Sequence, residues 1–145
     1  MKIVDANVLI YAVNRDARHH EDSRAWLDDA LGGADVVGLN WVALLAFLRL
    51  ATKRELFAQP LTVPEATQQI REWMSAPGAV IASPGELHAT YLLEMLESLG
   101  VAGNLVNDAH LAALAREHHA EIVSYDSDFD RFAGARRVEP TELIG

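Results

Sequence analysis

The spacing of apolar and polar positions changes several times along this chain, and each change marks an element. Lys2-Ile3-Val4-Asp5 reads as a short buried strand that ends in an acid, followed by apolar residues at helical spacing through Tyr11. His20 to Leu31 predicts a helix with one polar face, closed by Gly32-Gly33, and Val36 to Leu39 predicts a second short strand. A mostly buried helix follows from Trp41 to the neighbourhood of Lys53. Thr62 and Pro64 open a helix over Val63 to Met74, and Pro77-Gly78 ends that segment before a third strand, Ala79 to Ala82. Ser83-Pro84-Gly85 turns the chain into a helix that runs to Ser98, and Leu105 to His118 is a helix rich in small residues. Glu121 to Tyr125 is a fourth strand leading into Asp126, Asp128 to Phe132 a short helix, and Arg137 to Glu139 a fifth strand.

Strands therefore alternate with helices throughout. Short parallel strands need crossover connections, so the pattern implies an α/β fold with a mostly parallel sheet of four to five strands covered by helices. Ligands of such sheets collect beyond the carboxyl ends of the strands. Asp5 and Asp126 fall at two such ends, and they converge if the first and fourth strands are neighbours.

Composition narrows the chemistry. A chain of 145 residues, half of them hydrophobic, is the size of one ordinary domain, expected over 1–145. It contains no cysteine, which excludes disulfides, thiolate metal sites and cysteine nucleophiles and fits a reducing cytoplasm. The longest unbroken apolar run, Trp41 to Leu48, is far short of the roughly 20 residues that span a bilayer, so no membrane association is expected. A strand that begins at Lys2 leaves no room for a signal peptide, which again points to the cytoplasm. The formal net charge of -9 argues against a polyanionic partner unless several acids serve to hold cations.

Three places concentrate acids: Asp5 in Val4-Asp5-Ala6-Asn7, Asp108 in Asn107-Asp108-Ala109-His110, and Asp126-Ser127-Asp128-Phe129-Asp130. Each has a plain reading. Asp5 suits the N-cap of the helix after it, Asp108 suits a first helical turn, and the last cluster suits an acidic, solvated turn. Joint placement favours chemistry instead, because independent caps have no reason to converge. Carboxylates brought together repel one another unless they share a hard cation such as Mg²⁺ or Mn²⁺. Such a cation polarises a phosphoryl oxygen and makes hydroxide available near neutral pH, giving phosphodiester hydrolysis without a nucleophilic side chain.

The segments Val4 to Ala12, Asn104 to Ala115 and Val123 to Phe129 resemble those of PIN-domain proteins, and more narrowly of VapC toxins from type II toxin–antitoxin modules. The likeness runs in order from Lys2 to Glu139. It implies a three-layer α/β/α fold and a Mg²⁺- or Mn²⁺-dependent endoribonuclease that acts on RNA as a homodimer, inhibited by a small VapB antitoxin whose tail enters the active-site groove. Carried over, Asp5, Asp108 and Asp126 are metal ligands, and Asp128 is a further ligand or acts through water. Ser124 matches the family's Ser or Thr near the end of the fourth strand, and Asn7 a polar position beside the first Asp.

One position departs from the family. A glutamate is common on the helix after the second strand, where this chain has Ala46, and no acid occurs between Asp35 and Glu55. Water or Asp128 then has to fill that place. The departure motivates an alternative, a catalytically weak PIN module that acts by binding RNA or a partner. A phosphoryl-transfer domain using an aspartyl-phosphate fits less well, because Lys2 and Lys53 are the only lysines and neither follows a strand at a comparable site. Arg15 and Arg18 are candidates to meet phosphate. His110 is a candidate substrate contact, although a helix-face role is the plainer one. The pairs His19-His20 and His118-His119 are read as surface, Trp41, Phe47 and Trp73 as core or interface, and Trp26 as cover for a dimer or antitoxin contact.

Overall fold

The computed structural model describes residues 1–144. Its elements follow the pattern above: β1 (Lys2–Val4), α1 (Ala6–Val13), α2 (His20–Asp29), β2 (Val37–Leu39), α3 (Trp41–Ala51), α4 (Val63–Ser75), β3 (Ala79–Ile81), α5 (His88–Leu99), α6 (Val106–Glu117), β4 (Glu121–Val123), β5 (Arg137–Val138) and α7 (Pro140–Leu143). Short 3₁₀ turns cover Gly103–Leu105 and Ser127–Arg131, and α2 ends in a wide π turn, Ala30–Ala34. Gly33 carries that turn with φ 118, a value that only glycine reaches without strain.

The five strands form one parallel sheet in the order β3-β2-β1-β4-β5. β1 lies at its centre, with Val4 opposite Val123. Side-chain alternation along these strands feeds two cores. Val4, Val37, Leu39 and Val123 join Leu9, Leu27, Leu44, Phe47 and Trp73 from α1–α4 on one face. Ile3 and Ile122 point the other way, against Met95, Leu111, Leu114 and Phe129. The central strands are therefore covered on both faces, which explains why β1 and β4 read as short apolar runs, whereas edge strand β3 leaves Val80 and Ile81 exposed.

Local signals set the helix starts. Thr62 and Glu65 form a reciprocal capping box at α4. The Asn40 carboxamide accepts from Ala43 N at 2.9 Å and donates to Val4 O at 2.8 Å, tying the start of α3 to the end of β1. Several ends shift by a residue or two from the sequence reading, and three differences have an identifiable cause. α5 begins at His88 rather than directly after Gly85, because the Glu117 carboxylate accepts from the Gly85 and Leu87 amides and holds that stretch as a separate turn. β4 ends at Val123, two residues early, because the Ser124 hydroxyl is taken up by the site described below. α7 has no apolar periodicity to announce it; a capping box between Glu139 and Glu142 defines it.

Trp26 is 4% exposed inside the first core and so is not a surface cover, whereas Trp41 is 51% exposed. Phe47 and Trp73 meet edge-on in the same core. Among the described residues no helix is long and apolar enough to cross a membrane.

Candidate metal centre

Because β1 and β4 are neighbours, the residues that leave their carboxyl ends lie side by side. The Asp5 amide donates to Val123 O at 3.0 Å, extending the ladder by one step. At that point the chain on both sides turns away, and side chains take over the bonding. The Ser124 hydroxyl donates to Asp5 Oδ2 at 2.7 Å and accepts from Asn7 Nδ2 at 3.1 Å and from the Asp126 amide at 2.9 Å. One donor and two lone pairs are thereby used, so this fully buried hydroxyl is satisfied. Asp5 Oδ1 accepts from Ala6 N at 2.8 Å, so the plain capping reading of Asp5 holds alongside its place in the cluster.

Asp126 in turn caps the turn Ser127–Arg131, its Oδ1 accepting from the Asp128 amide at 2.9 Å. Asp108 arrives from the first turn of α6. One carboxylate oxygen each from Asp108, Asp126 and Asp128 lie within 4.8 Å of one another. Asp5 stands outside that triplet but close beside it. Its charge, with those of Asp126 and Asp128, adds to burial in pushing the Asp108 carboxyl up to about 7. Burial also raises the Asp5 carboxyl, against the pull of its bonds from Ser124 and Ala6 and with a further push from Asp126. An all-oxygen donor set whose members hinder one another's ionisation has the chemistry of a hard divalent cation site.

The other candidates fall elsewhere. Arg15 lines a cleft with Asn14, Asp16 and Phe57, and none of the four aspartates borders it. His110 directs Nδ1 to His88 Nε2 at 3.0 Å, and burial followed by that neighbour lowers its pKa. His19 stacks on Tyr125 with ring centroids 3.9 Å apart, a contact its position in a polar pair did not announce. Asp130 is not merely solvated: Arg137 grips both its oxygens at 3.1 Å. Arg137 was missed because a strand-edge arginine carries no signal in sequence beyond its charge.

A family model described as the PIN domain matches residues 2–135. The chain is 58% identical to ribonuclease VapC37 of Mycobacterium tuberculosis, over 99% of its own length and 100% of the relative's. It is 39% identical to ribonuclease VapC33 of the same species, over 97% and 98%. The fold is similar to that in the crystal structure of VapBC2 from Rickettsia felis bound to a DNA fragment from their promoter, with a TM-score of 0.66 at 17% identity, covering 95% of this chain and 97% of that one. A family model that matches 2–135, and a relative 58% identical over nearly the whole length, lead to one conclusion: the chain belongs to the PIN-domain family.

Proposed function

We propose that this chain is a divalent-metal-dependent endoribonuclease and the toxin of a toxin–antitoxin pair, working in the cytoplasm as a homodimer and restrained by a VapB-like antitoxin. One observation carries the reading. The carboxylates of Asp108, Asp126 and Asp128 gather beside Asp5 in a chain 58% identical to a protein named a ribonuclease. Asp5, Asp108 and Asp126 are the residues that would hold Mg²⁺ or Mn²⁺, with Asp128 completing the group. When bound, such a cation supplies positive charge to a phosphoryl oxygen and acidifies water at neutral pH.

The chain's own part is to present and orient these oxygens. Ser124 fixes Asp5 and the start of the Asp126 turn with one hydroxyl, and Asn7 holds that hydroxyl in register. Asp126 sets the backbone of Asp128. With a net charge of -9, the protein has little general attraction for a polyanion, so substrate binding centres on the cation.

Purified protein freed of bound partner, mixed with total RNA, tests this reading. Cleavage is expected with Mn²⁺ and is expected to stop with a chelator. RNA left intact by wild-type protein at saturating Mn²⁺ overturns it. Ala46, in place of the family's glutamate, favours a second reading, a weak nuclease that acts by occupying RNA or a partner. RNA retention without cleavage, and growth inhibition that survives Asp126→Asn, are the outcomes that favour it.

A further inference from the structure

The segment Ser124–Asp130 carries both Asp126 and Asp128, and its two ends are held by one side chain outside it. Arg137 opens β5, paired with Ile122 of β4, and its side chain is 16% exposed. Its Nε and Nη2 donate to Asp130 Oδ1 and Oδ2, each at 3.1 Å, in a planar two-point grip. Its Nη1 donates to Ser124 O at 3.2 Å and to Glu139 Oε1 at 3.0 Å. One guanidinium thus joins the point where β4 ends, the last part of the turn Ser127–Arg131, and the residue that caps α7.

A rigid planar fork suits this task, since it fixes distance and angle together where an ammonium fixes only distance. Inside the span, the Asp126 amide bond to Ser124 Oγ and the Asp128 amide bond to Asp126 Oδ1 set the local turn. Buried Phe129 anchors its middle. None of these fixes the separation between Ser124 and Asp130. Arg137 does.

We infer that Arg137 is a positioning residue: by clamping Asp130 to the Ser124 carbonyl it holds the Asp126 and Asp128 carboxylates at the spacing at which they share a cation with Asp108. This rests on the metal reading above. Residues that orient metal ligands without touching the metal typically contribute about 10–100-fold to metal affinity. A half-exposed ion pair, by contrast, contributes little to global stability.

The test is Mn²⁺ binding to the full chain, measured by calorimetry and by manganese EPR, alongside thermal melting. Arg137→Ala is expected to weaken Mn²⁺ binding about tenfold or more. Arg137→Lys, which keeps the charge without the fork, is expected to recover only part of that loss. Asp130→Asn breaks the grip at its exposed end and leaves the Ser124 and Glu139 bonds in place, so it serves if Arg137→Ala fails to fold; it too is expected to weaken binding. Glu121→Gln removes one negative charge at another ion pair, with Arg136 and Lys2, at the opposite end of β4 from the acids, and is expected to leave Mn²⁺ affinity unchanged. Wild-type affinity in Asp130→Asn overturns the assignment, as does an equal loss in Glu121→Gln. Wild-type protein that binds no Mn²⁺ overturns the metal reading itself, a result distinct from either.

Discussion

The hydroxyl of Ser124 donates to Asp5 Oδ2 across 2.7 Å, although 119 residues separate the two along the chain. The bond exists because β1 and β4 are neighbours at the centre of the sheet and both chains turn at the same level. Removing the hydroxyl with Ser124→Ala strands three groups: the Asp5 oxygen, Asn7 Nδ2 and the Asp126 amide. We expect a loss of about 1–3 kcal/mol in stability from the unpaired buried groups. RNA cleavage should fall about 10–100-fold. Denaturant melts and a cleavage time course check the two effects separately; wild-type cleavage by the variant would remove Ser124 from the site.

Asp126→Asn separates charge from shape. The carboxamide oxygen can still accept from the Asp128 amide, so the turn Ser127–Arg131 keeps its cap. Circular dichroism and the melting temperature are expected to stay near wild type while Mn²⁺-dependent cleavage disappears. Cleavage at the wild-type rate would show that the Asp126 charge has no part in the reaction.

Asp108 makes stability depend on pH in a direction opposite to that of most carboxylates. Its carboxyl is raised in the folded chain from 3.8 to about 7, first by burial and then by Asp126, Asp5 and Asp128. Below the lower value both folded and unfolded chains hold the proton, and no difference arises. Between the two values only the folded chain retains it, so stability falls as pH climbs, and above about 7 the whole penalty is present. The raised Asp5 carboxyl adds in the same sense. Asp108→Asn, melted with chelator present, should therefore be more stable than wild type at pH 8. The gain, discounted for a half-exposed group, is about 1 kcal/mol. The advantage should vanish near pH 4, and a gain independent of pH would break the link to this carboxyl.

The parallel sheet and the three acidic segments were legible in sequence for physical reasons. β1 and β4 are buried on both faces and read as apolar runs, and an acid directly after such a run is conspicuous. What stayed hidden depends on tertiary partners. Arg137 and Asp130 lie seven residues apart with no periodicity linking them, yet they pair through both oxygens. α7 rests on a capping box and one buried proline rather than on an apolar stripe. Trp26 looked like surface because its helix is mostly polar, but it stands on the single apolar face of α2 with Leu27. The place of Asp128 is likewise not set by sequence spacing: its carboxylate comes within 4.8 Å of those of Asp108 and Asp126 only through the fold.

Gly78 tests the sheet edge without touching the site. Its amide donates to Leu31 O and its carbonyl accepts from Val37 N, each at 2.8 Å, so the turn before β3 is pressed against the end of α2. A Cβ at this position would run into the Ala30 carbonyl oxygen and come within 2.8 Å of Asp35 O, both backbone atoms that cannot rotate away. Gly78→Ala is expected to cost about 1–3 kcal/mol, read as a lower denaturant midpoint. Mn²⁺ affinity should not change; an unchanged midpoint would show that the edge yields freely.

Ala46 poses the sharpest question about this chain's chemistry, since the family resemblance leads to the expectation of a glutamate there. α3 starts beside the acids, because Asn40 donates to the carbonyl of Val4, the residue before Asp5. Ala46 follows on that helix, half-buried between exposed Leu45 and buried Phe47, so a longer side chain there is not forced into the core. If position 46 faces the aspartates, Ala46→Glu adds a fifth carboxylate to a group in which burial, and then the neighbouring charges, already raise the Asp108 carboxyl to about 7. Two opposite effects follow from that one charge. Without a cation the added repulsion should lower the melting temperature at pH 8, and with Mn²⁺ the extra oxygen should tighten binding about tenfold. Melting with chelator and titration with Mn²⁺ read the two effects independently. If neither moves, position 46 does not face the aspartates, and the substitution of alanine for glutamate has no bearing on how this chain holds a metal.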